Sequence, residues 1–348
     1  MSGQITIALD AMGGDHAPRC VLKGANIARR RWPEVCFLLV GDKAKLKPIL
    51  KRMPRLRKVC DYIHTDAAIA ADEKPAVALR SGRESSMRLA IDAVRDGKAE
   101  GVVSAGNTGA LMAMSKFSLK TILGIDRPAM ASFFPTLRGE SVMLDLGANI
   151  QCSSTNLVQF AVMGEVFARS VLGSLKPSVG LLNVGSEDLK GNDTVRDAAS
   201  VLKEFGPDFN FHGFIEGTDI AEGTVDVVVA DGFSGNISIK TAEGTAKLYT
   251  RFLRDAFRSS LLAGVGYLLA RRALKKLRTR VDPRRYNGAM FLGLRGISVK
   301  AHGGSDALAF ATAIGVAVDM AKNGFVDQIK AELERYQDPG QRAVRAAS

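Results

Sequence analysis

Six short stretches of the 348-residue chain pair glycine with polar or ionisable side chains: LDAMGGDHAP, VSAGNTGALM, LDLGAN, NVGSEDLKGND, ADGFSGNISIKTAEG and KAHGGSDALAF. Glycine lets backbone N–H groups approach an anion closely, and a following helix adds its unbonded N–H groups and positive end. In the second stretch Ser104, Gly106, Asn107, Thr108 and Gly109 lead into a helical pattern, a candidate oxyanion or phosphate cradle. The fifth repeats that layout with Asp231, Gly232, Gly235 and Asn236, and Lys240 is read as about one turn into its helix. Asp10, Gly13, Gly14, Asp15 and His16 form the first stretch, and His302, Gly303, Ser305 and Asp306 the last. Asp145 and Asn149, then Asn183, Lys190 and Asn192, complete the set. His16 and His302, each near a carboxylate, can handle a proton or simply hold their loops by hydrogen bonds. One such loop is weak evidence, because glycine serves turns more often than ligands. Their recurrence at successive strand ends is what gives them weight.

The motifs of other chemistries are missing. There is no GxxxxGK[ST], no GxGxxG after the first apolar run, no GxSxG and no HExxH. The four cysteines form no CxxC pair and no zinc spacing, so they are read as free thiols of a reducing cytoplasm, Cys152 as structural rather than nucleophilic. An anion-binding backbone without a protein nucleophile suits a reaction whose substrate brings its own. Inorganic phosphate is already ionised near neutral pH and needs orienting more than activating.

Elements that could position these loops follow from the apolar runs. QITIALD, VCFLLV, KVCDYIH, EGVVSAG, SVMLDLG, SVGLLNVG, FNFHGFIEG and VDVVVADG are nearly continuous apolar stretches, as strands covered on both faces should be. Helical patterns lie between them, including 83–97, STNLVQFAVMGEVFARSVLG and SDALAFATAIGVAVDMAKNG. This alternation predicts an α/β fold with a mostly parallel sheet, whose strand ends would gather the loops on one rim. The opening residues show no basic region followed by an apolar one, and no run of about 18 apolar residues occurs, so neither a signal peptide nor a membrane span is expected.

Net charge is +12 and uneven: residues 43–58 hold eight Lys/Arg and no acid, and residues 251–285 hold eleven Lys/Arg against two Asp. Such patches suit acidic partners, whether nucleic acid, an anionic membrane face or an acidic protein; for 43–58 a merely solvated surface is the plainer reading. In the second patch Arg254 and Arg258 precede an apolar tip containing Leu261, Leu262, Val265 and Leu268, and Arg271, Arg272, Lys275 and Lys276 follow it. The pattern predicts a basic helical hairpin over about 246–285 with a flexible tip, too short to span a bilayer but able to dip into one interface. A hairpin packed on its own globule or on a second subunit remains the alternative. Nucleic acid is not expected, since Tyr267 is the one aromatic near the tip and no recognition module is present.

IALDAMGGDHAP, VSAGNTGALMA, GIDRPA, LDLGAN, LVQFAVMG, VGLLNVGSEDLKGN, DVVVADGFSGNISIKTAEG and KAHGGSDA, in this order from about residue 5 to 325, resemble the bacterial phosphate acyltransferase (PlsX) family. The resemblance implies a three-layer α/β/α fold similar to isocitrate and isopropylmalate dehydrogenases and to phosphotransacetylase. It implies transfer of a long-chain fatty acyl group from the thioester of acyl carrier protein to inorganic phosphate, without metal or organic cofactor. It further implies a homodimer, cytoplasmic and peripheral to the inner membrane face, that hands acyl phosphate to a glycerol-phosphate acyltransferase for phospholipid synthesis. A single domain is expected over 1–335, with a disordered tail at 336–348. A coenzyme A-dependent phosphotransacylase and a non-enzymatic membrane or polyanion adaptor are the alternatives. The chain departs from the family in its very basic 43–58 segment and in Ala70 and Ala71, where a Glu-Met pair often stands. On this reading phosphate sits on the Gly106–Gly109 and Gly232–Asn236 loops with Lys240 offsetting its charge. Asn107, Thr108 and Asn236 are then candidate oxyanion donors, His16 or His302 protonates the thiolate, Asp10 braces the loops, and Asp15 orients His16.

Overall fold

A computed structural model describes residues 4–280 and 288–337 of the chain. The first half runs β1 (Thr6–Asp10), α1 (Arg19–Arg31), β2 (Cys36–Gly41), α2 (Lys43–Lys51), α3 (Pro54–Arg57), β3 (Cys60–His64), α4 (Pro75–Ser81), α5 (Ser86–Arg95), β4 (Gly101–Ser104) and α6 (Thr108–Leu119). It continues with β5 (Ala129–Thr136), β6 (Gly139–Leu144), α7 (Ser154–Leu172), β7 (Val179–Leu182), α8 (Asp193–Lys203), β8 (Phe211–Ile215), α9 (Gly217–Glu222) and β9 (Val227–Val229). Last come α10 (Gly232–Arg258), α11 (Leu261–Arg280), β10 (Ala289–Leu292), β11 (Ile297–Lys300), α12 (Ala307–Lys322) and α13 (Phe325–Gln337).

Among the described residues the eleven strands form one sheet in the order β3-β2-β1-β4-β11-β10-β5-β6-β9-β7-β8. β1, β2, β3, β4 and β11 are mutually parallel, as are β6, β9, β7 and β8. Between these blocks β10 and β5 make three antiparallel pairings in succession. The second block therefore runs in the opposite sense along the ladder, which corrects the expectation of one rim. In a flat sheet the two sets of loops would leave by opposite edges. A typical strand twist of roughly 20–25°, over five steps from β4 to β9, would turn the second block by about 100° or more relative to the first.

Alternate residues of each strand feed different cores, as the period of two requires. Ile7, Leu9, Val103, Val142, Leu144, Val227 and Val229 join one core that crosses the whole sheet and packs under α1, α7 and α12. On the opposite face Ala8 and Val102 join a cluster beneath α5 and α6, while Met143 and Val228 join a separate, smaller one. Half-buried Met130 of β5 packs against both of these.

The expected hairpin is present. α10 packs on α11, with Phe257 and Tyr267 in an edge contact at 5.5 Å. The chain turns at Ser259–Ser260, so residues 261–270 form the start of a helix rather than the flexible tip expected. The side chain of Lys276, residues 281–285 and the tail from 338 onward lie outside the described residues, whereas Tyr336 and Gln337 close α13. No helix among the described residues is long and apolar enough to cross a membrane.

Candidate active site

The loops after β1, β4 and β11 meet around one buried carboxylate. Asp10, 1% exposed, accepts from Met12 N (3.3 Å), Gly13 N (3.1 Å) and Ser86 Oγ (2.6 Å) on Oδ1, and from Ser104 Oγ (2.6 Å) on Oδ2. Burial pushes its carboxyl above the usual range, against the pull of these hydrogen bonds. Asp10 thus ties the first glycine loop to α5 and to the end of β4, as expected of a brace. Gly13 allows the close approach: a methyl there would stand 2.4 Å from Asp10 Oδ2 and 2.8 Å from Gly106 N. Gly106 N donates 3.0 Å to Ser104 Oγ.

Lys300, which the sequence reading missed, ends β11 opposite Ser104 in register. It is 7% exposed, and its ammonium donates to the Ala301 carbonyl. Burial pushes its pKa down to about 8, with the Asp10 and Asp15 carboxylates holding it up. A buried cation among glycine loops is an anion-binding feature. α6 opens four residues after Ser104, the register partner of Lys300, with Thr108 and Gly109, whose leading N–H groups have no partner within their own helix.

Other expected residues take structural roles. Asn107 caps α6 by accepting from Ala110 N (2.9 Å), and its amide N–H groups donate to Ala71 O (2.8 Å) and Glu73 O (2.9 Å). Both ends of its side chain are committed, so it is a clamp on the loop instead of the expected oxyanion donor. Among the described residues no hydrogen bond joins Asp15 to His16. Asp15 N donates to Gly303 O (3.0 Å) and its carboxylate lies against Gly303 and Gly304, so Asp15 sets the last loop and does not orient the histidine. Gly14, at φ +98°, packs on the same loop. His302 Nδ1 accepts from Gly304 N (3.2 Å). Ser305 Oγ donates 2.6 Å to His302 O, and Asp306 caps α12 at Ala309 N (2.9 Å). His16 is exposed and lines an open groove of about 970 Å³.

The loops after β6, β7 and β9 make a second group. Asp145, fully buried, accepts from Met130 N (2.9 Å), Ala148 N (3.1 Å), Asn149 N (2.7 Å) and Asn149 Nδ2 (2.9 Å), and burial pushes its carboxyl up. α10 starts hard against this loop: Gly232 N donates to Asn149 O (2.8 Å), and Asp231 caps Ser234 N (2.7 Å). Asn236 packs its side chain near Gly147. Asn183 Nδ2 donates to Gly185 O and Lys190 O, both 3.1 Å, and Asn192 caps α8 at Val195 N (2.9 Å), so both brace their own loop; Lys190 itself is exposed. Asn183, Asn192, Asp231 and Ser234 line a cavity of about 310 Å³. Lys240 lies eight residues past Gly232, about 12 Å along α10 instead of one turn, and is exposed. Cys152 behaves as the structural thiol expected, with burial pushing it up to about 11. Among the described residues no hydrogen bond joins the two loop groups.

The fold is shared with structures already solved. A phosphotransacetylase from Streptococcus pyogenes superposes with a TM-score of 0.61 at 18% identity, covering 92% of this chain and 95% of that one. A structure from Salmonella typhimurium provisionally assigned as a 4-hydroxythreonine-4-phosphate dehydrogenase gives 0.53 at 14%, covering 92% and 100%. At such identities the likeness defines a fold class, that of phosphotransacylases and related dehydrogenases, as expected. Sequence identifies the family. Residues 5–328 match the fatty acid synthesis protein family. The phosphate acyltransferase of Rhodospirillum centenum is 66% identical over 337 residues, 97% of this chain and 95% of its own length, and that of Paramagnetospirillum magneticum 58% over 335 residues, 96% and 95%. The chain belongs to this family of phosphate acyltransferases.

Proposed function

We propose that the chain transfers a long-chain acyl group from the thioester of an acyl carrier protein to inorganic phosphate, with phosphate held in the first loop group. The coarser part, phosphate acyl transfer in lipid synthesis by a transferase, follows from the family. The observation that carries the finer reading is Lys300, a buried cation paired in register with Ser104 at the end of the strand that leads to α6, next to the Asp10-braced glycines. Lys300 and the leading N–H groups of Thr108 and Gly109 hold the phosphate. One phosphate oxygen attacks the thioester carbonyl carbon and forms the new C–O bond. The carbonyl oxygen takes the negative charge, which the helix start stabilises. Collapse of the tetrahedral intermediate breaks the C–S bond, releasing acyl phosphate and a thiolate, which His16 protonates from the groove.

Palmitoyl-acyl carrier protein incubated with phosphate and hydroxylamine should yield hydroxamate only when phosphate is present. Equal thiol release without phosphate would overturn the reading. Palmitoyl-coenzyme A in the same assay tests the other donor, and lipid or polyanion binding with no hydroxamate under any condition would favour the adaptor. The hairpin supports a peripheral site on an anionic membrane face, because Leu261, Leu262, Leu268 and Leu269 are 94, 82, 66 and 83% exposed between flanking arginines. Assembly as a homodimer and onward transfer of acyl phosphate to a glycerol-phosphate acyltransferase belong to the same proposal.

A further inference from the structure

α2 and α3 carry an unusual surface. Buried Leu46, Leu50 and Leu56 anchor the two helices, so that Lys47, Lys51, Arg52 and Arg55 project outward, all exposed. Among the described residues the sole ion pair of the 43–58 segment is Lys45 with Asp42 at 3.7 Å, half open to solvent. Lys43 and Lys45 also stand in the first turn of α2, where the helix dipole disfavours cations. Charge here is concentrated beyond anything folding needs. Unlike the hairpin, this surface exposes no large hydrophobic side chain, so it has nothing to insert into lipid.

The patch also adjoins the site. Lys45 and Ile49 of α2, Arg19 and Lys23 of α1, and Leu308 of α12 with Ser305 all line the groove of about 970 Å³. His16 of the first loop group lines the same groove. Its lining mixes the cations Arg19, Lys23 and Lys45 with apolar side chains and the carboxylate of Asp306, and it joins the basic surface to the first loop group at His16 and Ser305.

We propose that the α2–α3 surface docks an acidic protein bearing its acyl group on a flexible thioester arm, and that the arm reaches the first loop group through this groove. The inference rests on the acyl-transfer reading above, yet docking can be measured without turnover. The test is the full-length variant Lys47→Glu/Lys51→Glu/Arg52→Glu/Arg55→Glu, with circular dichroism as a check of folding. Its binding to fluorescently labelled acyl carrier protein is followed by anisotropy at low and at physiological salt. Wild-type affinity should fall with salt, and the variant should bind at least about ten-fold more weakly at low salt with little remaining salt response. With palmitoyl-acyl carrier protein as substrate, KM should rise by a similar factor while kcat holds. Unchanged carrier affinity would overturn the proposal. So would a fall in kcat at constant KM, or a variant whose one deficit is binding to phosphatidylglycerol vesicles. If wild-type protein makes no acyl phosphate yet binds the carrier through this patch, the acyl-transfer reading fails and the docking surface stands.

Discussion

Lys300 has a folded-state pKa of about 8 against 10.5 for an ordinary lysine, so below pH 8 the fold must house a charged ammonium in a buried place. The stabilising contribution of such a depressed group is present above its unfolded pKa and is lost as pH falls through the folded one. Lys300→Met should therefore melt at the same or a higher temperature at pH 7, with the difference vanishing near pH 10.5. The same variant should raise the phosphate KM by about ten-fold or more, and wild-type kcat/KM for phosphate should decline as pH rises through about 8. An unchanged phosphate KM would remove Lys300 from the site. Asp10→Asn would turn amide donors toward Ser86, Ser104 and Gly13, which already donate, and should cost about 2–4 kcal/mol in urea unfolding. Full stability with activity abolished would make Asp10 a reacting group rather than a brace. Asp10 and its glycines were legible because a carboxylate closing an apolar run has few other uses. Lys300 was not, because a lone lysine is ordinarily solvated, and its burial arises only from register beside Ser104. Asn107 was legible as a residue and misread as a role, since an asparagine before a helix is a cap first.

Elements were read best where their pattern is local. Eight apolar runs became β1, β2, β3, β4, β6, β7, β8 and β9, and Asp306 caps α12 as a residue in its place should, while the cap of α7 is Ser153, one residue before the stretch read as that helix. The strands not foreseen, β5, β10 and β11, are the three at the centre of the sheet, where the direction reverses. β5 contains Pro135, β10 and β11 have four residues each, and β11 ends in lysine, so none shows a long apolar run. Without them a single parallel rim was the natural inference. The start of α10 offers a sharp element-level test. A methyl at Gly235 would stand 2.0 Å from Asp145 O, a backbone atom that cannot swing away. Gly235→Ala should destabilise by about 2–3 kcal/mol and open the second loop group to hydrogen exchange. At the α7–α13 contact, burial pushes Glu165 up to about 7 despite Arg169 at 3.2 Å. A carboxyl raised in this way contributes stability below its unfolded value of 4.5 that is lost as pH rises through about 7. Glu165→Gln should thus match wild type at pH 8 or exceed it by about 1 kcal/mol, with the advantage gone by pH 4.5, measured by urea unfolding.

At the scale of the molecule, among the described residues, the hairpin gathers nine exposed large hydrophobic side chains, including Leu261, Leu262, Leu268 and Leu269. Deleting residues 259–270, or replacing Leu261, Leu262, Leu268 and Leu269 with serine, should abolish binding to anionic vesicles while hydroxamate formation in solution persists. Vesicle binding that survives both changes would end the membrane assignment. The charge pattern foretold this hairpin and the loop layout foretold a helix carrying Lys240, but not that the two are one helix, which runs unbroken for 27 residues through Gly235 and Gly244. That length has a mechanical consequence. α10 is a beam of about 40 Å, clamped at one end where Gly232 and Gly235 press on the Asn149 and Asp145 backbones, and loaded at the other by the apolar tip. A beam with no hinge delivers a tilt at its far end to its root. Whatever surface seats the tip therefore also bears on the Asp145–Asn149 loop, and adding vesicles should change amide exchange there, a long way from any lipid.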